Sequence, residues 1–448
     1  MRSGDLTEGS ILRALGRLAT PMLVGGILQN LQSLIDLFWV GRLGSSAVAS
    51  VAVSGTVLML LMPLLMGAST GTVALVARAI GAKRMDDANR AAGQSLMLAL
   101  ALGGLSGVVG LLLSGKVFGL LNPPPDIVTD GVAYLRISLL GSFTVFVLFI
   151  GNSALQGAGD AVTPMWIMAI ANAVNMVLDP LFIYGLGPLP AMGVRGAAIA
   201  TVIAQAVAAA VSVSRLFSGR TLLHIRFSQW KPDIALSWRI LRIGIPGAGQ
   251  MLARGLMSAV MMGLVASCGT VAVAAYGIGL RFHMIILMPG FALGGGAATL
   301  VGQSLGAGKP GRAARAAWLA TGIDAAFMAL AAVLMMILAP ELIRVFNSEV
   351  EVIQVGARYL RIVSPFYVFT AAGIVLGRAL NGAGDSLTPM IITVLTLWGF
   401  QVPLAILFSH LWHPATQGIW WAIVVATVLN GILVAAWFQT GRWKRKRV

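Results

Sequence analysis

Long apolar runs are the sequence feature that most limits the fold of this chain. Twelve runs are roughly as long as the 20 residues that an α-helix needs to cross a bilayer. Because they are continuous rather than alternating, they predict helices and not barrel strands. We therefore expect an all-α integral membrane protein with twelve transmembrane helices, at approximately 18–40, 48–73, 93–114, 132–151, 164–187, 195–216, 243–267, 272–300, 314–339, 359–379, 388–410 and 417–438.

Basic residues lie mainly on one side of the predicted membrane. If the N-terminus is inside and the segments alternate, 22 of the 31 Lys and Arg fall inside and seven fall outside. This asymmetry follows the positive-inside rule, so we expect both termini in the cytoplasm and the protein in the inner or plasma membrane. The net charge of +16 then requires no nucleic acid, although the basic tail can contact anionic membrane lipids.

Cysteine and histidine are too few and too scattered for a metal centre. The single Cys268 excludes an internal disulfide and a cysteine-based cluster. The four histidines show no metal-ligand spacing. We expect no cofactor.

A six-helix unit is present twice in the chain. The string LQGAGDAVTPM from Leu155 returns as LNGAGDSLTPM from Leu380, 225 residues later. The same spacing separates Pro21 and Pro246, Gly44 and Gly269, Gly81 and Gly306, and Tyr134 and Tyr359. These landmarks predict an N-terminal lobe over 1–225 (helices 1–6) and a C-terminal lobe over 226–448 (helices 7–12). Since six is even, we expect a pseudo-twofold axis along the membrane normal.

The repeated GAGD string invites an enzymatic interpretation that its position opposes. Gly-x-Gly-Asp is part of the signature of intramembrane aspartyl proteases. However, Asp160 and Asp385 fall in loops of separate halves, whereas a protease pair needs both carboxylates in one buried site. Glycines suit a tight turn, and the Thr-Pro that follows suits a cap and first turn of a helix. We interpret each string as a structural turn.

Polar residues inside the membrane distinguish the two halves. Three acids lie within spans, Asp36, Asp179 and Asp324, and such acids usually face a cavity or a partner. Two polar stripes accompany them at helical spacing: Gln29, Gln32, Ser33 and Asp36 in the first span, and Asn172, Asn175 and Asp179 in the fifth. Their counterparts 225 residues on are Arg254, Met257, Ser258 and Met261, and Leu397, Phe400 and Leu404.

These motifs together resemble the multidrug and toxic compound extrusion (MATE) family of secondary transporters over nearly the full chain. The matching pieces are DLFWVGRLG at Asp36, the Arg-x-x-Gly-x-Pro start of each half, LVGQSLGAG, the two GAGD loops and NMVLDPLFIYGLG. Asn175 and Asp179, four apart in the fifth helix, resemble the DinF-like branch. Pro21 matches the proline that precedes the bend of the first helix in that branch.

The resemblance implies two six-helix lobes around a V-shaped cavity that opens alternately to each side. It also implies efflux of lipophilic, often cationic, small molecules, driven by H⁺ or Na⁺. NorM-like members hold a cation on a Glu of the seventh helix and an Asp of the tenth. Arg254 and Thr370 stand at these positions, so we expect the N-terminal lobe to carry the coupling alone.

The expected mechanism places coupling and cargo on the same carboxylates. Asp36, Asn175, Asp179 and Thr201 would bind the H⁺ or a Na⁺ ion. The cargo cavity would be lined by Gln29, Gln32, Ser33, Asn172, Arg254, Met257 and Met261, with Pro21 as a hinge. We expect a monomer and no enzymatic activity. Two alternatives stay open: a lipid-linked precursor flippase, and an aspartyl protease using Asp36 with Asp179.

Overall fold

Helices make up nearly all of the described chain. The structure is a computed structural model that describes residues 6–185, 190–226 and 230–446. The helices are α1 (Ile11–Gly41), α2 (Ser45–Leu58), α3 (Met62–Gly81), α4 (Met85–Gly119), α5 (Pro125–Leu140), α6 (Ser142–Gly157), α7 (Val162–Tyr184), α8 (Val194–Phe217), α9 (Ile234–Ala266), α10 (Thr270–Gly306), α11 (Pro310–Arg344), α12 (Val350–Val363), α13 (Tyr367–Gly382), α14 (Leu387–Val394), α15 (Val402–Leu411) and α16 (Ala415–Gln439). The described residues contain no β-strand. The expected all-α class is confirmed.

The helices provide the membrane spans that the apolar runs predict. Eleven helical stretches are long and apolar enough to cross a bilayer, and α5 with α6 forms a twelfth that is bent by 45°. Three other spans join two helices through a short irregular turn: 3₁₀ turns at Met59–Leu61 and Ser364–Phe366, and a π-helix at Leu395–Gln401. Each expected run falls on one stretch, except that the end of the fifth run, at 186–187, lies outside the described residues.

Helix contacts divide the chain into two compact units. Unit 1 contains Thr20–Ile245, and unit 2 contains Leu6–Ala19 together with Pro246–Val448. The two long helices α1 and α9 therefore each contribute their first residues to one unit and the rest to the other. This division adds a feature that the 225-residue repeat alone does not reveal.

Small residues allow these leading helix segments to pack closely. In unit 1, a Cβ on Gly71 of α3 would collide with the Ile240 carbonyl oxygen of α9. In unit 2, a Cβ on Gly296 of α10 would lie 3.3 Å from Leu15 of α1. Gly71 and Gly296 are 225 residues apart, as are Leu15 and Ile240. Both units thus use the same contact, in which a glycine admits the start of a long helix.

The GAGD strings are turns, as their composition predicts. Gly159 adopts φ 91° and Gly384 φ 85°, in the region that glycine reaches without strain. The Thr163 backbone N–H and hydroxyl donate to the Asp160 carboxylate at 2.9 and 2.6 Å. The aspartate, rather than the threonine, is therefore the capping acceptor for α7.

In unit 2 the same turn makes additional contacts with the end of the chain. Thr388 donates its hydroxyl to Asp385 at 3.0 Å, and the Trp437 indole donates at 3.1 Å. Lys446 forms an ion pair with the nearly buried Asp385 at 2.6 Å. Both aspartates are thus satisfied by local partners, which supports a structural role and not a catalytic one.

Candidate functional site

The polar stripes of α1 and α7 meet at three side chains in unit 1. Asn175 and Asp179 lie one turn apart on α7 and are each 0% exposed, while Asp36 of α1 is half-buried. The Asn175 Nδ2 amide donates to Asp179 Oδ1 at 3.1 Å. Asp36 is close enough to interact directly with both the Asp179 carboxyl and the Asn175 amide. The structure therefore brings together three of the four residues expected to bind the coupling ion.

Each of these three side chains keeps one buried oxygen without a hydrogen-bond partner among the described residues. These oxygens are Asp36 Oδ1, Asn175 Oδ1 and Asp179 Oδ2. Carboxylate and amide oxygens are the hard ligands that Na⁺-like cations prefer, and carboxylates also accept a proton. No group of three or more His, Cys, Asp or Glu side chains suited to a metal ion occurs among the described residues. The chemistry available is reversible binding of a light cation.

The charges of this cluster are not balanced by basic side chains. The ion pairs found in the described part of the chain do not include Asp36 or Asp179. Two carboxylates in contact and away from bulk water repel one another strongly if both are ionised. The pair is therefore stable only when it holds a proton or a positively charged partner.

Two hydrogen bonds to backbone oxygens hold α1 against α7 on either side of the cluster. Asn172 donates to the Leu28 carbonyl at 2.6 Å, and the Tyr184 hydroxyl donates to the Trp39 carbonyl at 2.8 Å. Asp36 lies between Leu28 and Trp39 on α1, just as Asp179 lies between Asn172 and Tyr184 on α7. Asn172 thus serves the register of the two helices, and its Oδ1 is buried without a partner.

One neighbour of the cluster was missed by the sequence interpretation. Tyr134 of α5 lies near enough for both Asp36 and Asp179 to act on it electrostatically. Its ring packs against the apolar cluster that includes Val40 and Ile183. The repeated Tyr134 and Tyr359 served above only as landmarks of the duplication. The position of α5 beside α1 and α7, which the sequence does not give, makes Tyr134 a site residue.

The remaining residues expected in unit 1 are more loosely connected to the cluster. The Thr201 hydroxyl donates to the Ala197 carbonyl of its own helix at 2.9 Å, so its role as an ion ligand stays a prediction. Gln32 is buried, whereas Gln29 and Ser33 are exposed. Pro21 lies inside α1, where it removes one helix hydrogen bond. Its role as a hinge also stays a prediction.

Unit 2 repeats the scaffold of this site without its acids. The Trp398 indole donates to the Ala253 carbonyl at 3.2 Å, and Ala253 is the counterpart of Leu28. Arg254 is exposed. Met257 and Met261 are only 3% and 1% exposed and belong to the hydrophobic core of unit 2. Their expected role in lining a cargo cavity therefore stays a prediction.

Comparison with known proteins agrees with this geometry. The family model described as MatE matches residues 21–181 and 246–407. The probable multidrug resistance protein NorM of Thermotoga maritima is 27% identical over 445 residues, covering 98% of this chain and 94% of that protein. A protein of Shewanella oneidensis named as an FAD transporter is 27% identical and covers 95% of this chain and 94% of its own length.

A solved structure supports the same assignment. The crystal structure of MATE in the bent conformation superposes with a TM-score of 0.91 at 27% identity, covering 98% of each chain. The expected transporter class is confirmed, and the enzyme interpretations are set aside, since the relatives are named as transporters. The two matched segments cover well over half of the sequence and begin at the two repeated prolines. The chain belongs to the MatE family of membrane transporters.

Proposed function

We propose that this protein is a secondary active multidrug efflux transporter that exports lipophilic, often cationic, small molecules in exchange for H⁺ or Na⁺. The observation that supports this function most directly is the unbalanced cluster of Asp36, Asn175 and Asp179. Relatives named as multidrug resistance proteins support the class of cargo. Another relative is named as an FAD transporter, so the cargo of this chain has to be argued from its own residues.

In the proposed cycle, cation and cargo occupy the carboxylates in turn. An ion that enters the cluster neutralises Asp36 and Asp179, which removes the attraction for a cationic cargo. When the ion leaves to the opposite side, the carboxylates regain their charge and accept new cargo. Exchange follows because the two ligands exclude one another at a single site.

The scaffold supplies the conformational part of the proposal. Pro21 would let α1 change its bend, since the helix lacks a backbone hydrogen bond there. We further propose that Thr201 adds a hydroxyl ligand and that Gln29, Gln32, Ser33 and Asn172 contact cargo. The protein would act as a monomer with both termini in the cytoplasm, in contact with membrane lipids through its basic tail.

Efflux by single-site variants tests the proposal. Everted vesicles would be loaded through an imposed ion gradient, and dye accumulation would be followed for wild type, Asp36→Asn and Asp179→Asn. Each amide keeps the size of the side chain but cannot carry the negative charge, so we expect accumulation to fall to the level of vesicles without the protein. Asp130→Asn, an exposed acid at the start of α5, is the matched control and should transport normally. Unchanged transport in both cluster variants would refute the mechanism.

The same vesicles separate the alternatives. A flippase would move a labelled lipid between leaflets while giving no dye accumulation. A protease would cleave a transmembrane substrate without any gradient. Either result combined with absent efflux would replace the proposed function.

A further inference from the structure

Basic side chains are concentrated inside unit 2, where unit 1 has its acids. Arg254 of α9, His283 of α10 and Arg378 of α13 lie well within helices of the membrane-spanning stretches. The ion pairs found in the described part of the chain do not include any of them. An unpaired guanidinium in the membrane is costly and usually marks a functional contact.

These three groups belong to one cluster. The His283 and Tyr367 rings are 5.3 Å apart, which places α10 against α13 at this level. Arg378, eleven residues after Tyr367, packs over the Phe291 ring of α10 at 5.1 Å. Arg254 is close enough to act electrostatically on both His283 and Arg378. Three positive or protonatable groups from three helices therefore face one another.

Buried polar atoms next to these groups also lack partners. His283 Nδ1, Tyr367 Oη and Thr370 Oγ1 have no hydrogen bond to any described residue. A buried hydroxyl or imidazole nitrogen without a partner costs about 1–3 kcal/mol. Tyr367, Thr370 and Arg378 lie on one face of α13, at spacings of three and eight residues. This face offers hydrogen-bond donors beside the positive charge.

The nearby carboxyl does not neutralise the cluster. Asp324 of α11 is 0% exposed and packs against Gly290 of α10, where an added Cβ would lie 2.7 Å from its Oδ2. Both of its oxygens lack hydrogen-bond partners, so it makes no contact with the guanidinium of Arg254 or Arg378. The cluster keeps a net positive charge.

We propose that Arg254, Arg378 and His283 form an anion site in unit 2 that binds the phosphate group of an amphipathic cargo. Guanidinium groups recognise phosphate through paired N–H donors, and Tyr367 and Thr370 add hydroxyl donors. His283 and Gly294, which contacts Arg378, are separated by eleven residues, or about 16 Å of helix. This length accommodates a phosphodiester or diphosphate more readily than a single small anion.

This inference rests on the proposed transport function for its biological meaning, but its test measures binding alone. The purified full chain in nanodiscs of phosphatidylcholine would be titrated with naphthyl phosphate and, in parallel, with neutral naphthol. We expect naphthyl phosphate to bind, inorganic pyrophosphate to displace it, and naphthol to bind at least about tenfold more weakly. Equal binding of naphthol and naphthyl phosphate would overturn the proposal.

Variants locate the site. Arg254→Gln and Arg378→Gln should each weaken naphthyl phosphate binding by about tenfold or more, equivalent to about 1.4 kcal/mol. Arg281→Gln, an exposed arginine of the same α10 helix that packs near Phe346, should bind like wild type. Wild-type affinity in both glutamine variants would also overturn the proposal. If a glutamine variant does not fold, Arg254→Lys and Arg378→Lys keep the charge and should bind with intermediate affinity.

Two further arms identify the source of the phosphate and separate this site from that of unit 1. In nanodiscs that contain phosphatidylglycerol, a loss of naphthyl phosphate binding would identify a lipid headgroup as the ligand, whereas unchanged binding would identify a soluble cargo. Asp36→Asn should leave the affinity for naphthyl phosphate unchanged. Failed efflux with intact phosphate binding would reject the proposed function and keep the anion site. Intact efflux without phosphate binding would do the reverse.

Discussion

Asn175 shows how one amide prepares a carboxylate for exchange. Its Nδ2 donates to Asp179 Oδ1, while its own Oδ1 and the second oxygen of Asp179 are buried without partners. The amide therefore fixes one edge of the carboxylate and leaves the other edge for a ligand. At the counterpart position the chain has Phe400, which can do neither. The polar stripe of α7 thus has a chemical purpose beyond helix packing.

Replacement of Asn175 tests this role. In Asn175→Ala, Asp179 loses its amide donor and the cluster loses an oxygen ligand. A hydrogen bond to a charged group contributes about 1.5–3 kcal/mol, so we expect the ion concentration for half-maximal transport to rise by about tenfold or more. Initial rates of dye uptake into everted vesicles, measured across a range of ion concentrations, would give this value.

Asn172→Ala is the comparison, because Asn172 donates to the Leu28 backbone oxygen and not to a carboxylate. This variant should lower the melting temperature in detergent and leave the ion dependence of transport unchanged. If both variants changed ion dependence to the same extent, the distinct role assigned to Asn175 would be wrong.

At the scale of the helices, the sequence predicts the spans better than the breaks within them. Twelve apolar runs are enough to locate the spans, because a bilayer imposes a minimum length of apolar helix. The π-helix at Leu395–Gln401 and the bend between α5 and α6 were not predicted, since they depend on how neighbouring helices pack. For the same reason the sequence gave Asp36, Asn175 and Asp179 as candidates but missed Tyr134.

Close helix contacts in unit 1 are made possible by particular glycines and not by glycine content in general. A Cβ on Gly103 of α4 would collide with the backbone of Phe143 on α6, whereas nothing lies within 4 Å of a Cβ on Gly104. Gly103→Ala should therefore force α4 and α6 apart and destabilise the protein by about 1–3 kcal/mol. Gly104→Ala should be neutral or slightly stabilising, because alanine favours the helix.

Melting temperatures of the two purified alanine variants in one detergent measure this difference. The two positions are adjacent on the same helix, so they share membrane depth and propensity. Equal melting temperatures would show that the contact between α4 and α6 relaxes without strain.

At the scale of the whole chain, duplication supplied the scaffold and later divergence supplied the chemistry. Both units admit a leading helix segment beside a glycine, Gly71 or Gly296, and both use a capped GAGD turn. Only unit 1 has the pair of carboxylates in contact, whereas unit 2 has unpaired arginines inside its helices. Repeat arithmetic could reveal this asymmetry from the sequence, but not the way in which the first residues of α1 and α9 cross to the other unit.

This asymmetry predicts that a single ion type drives transport through unit 1. Purified protein in liposomes would be given a pH gradient or a Na⁺ gradient separately, and cargo accumulation would be followed. We expect one of the two gradients to drive accumulation and Asp179→Asn to abolish the response to it. Because ion and cargo compete, cargo affinity should fall as the concentration of that ion rises, and the ion's affinity should fall by the same factor when cargo is present. A response that persists in Asp179→Asn would mean that a group outside the Asp36–Asp179 pair binds the coupling ion, with the buried Asp324 of unit 2 as the next carboxylate to replace.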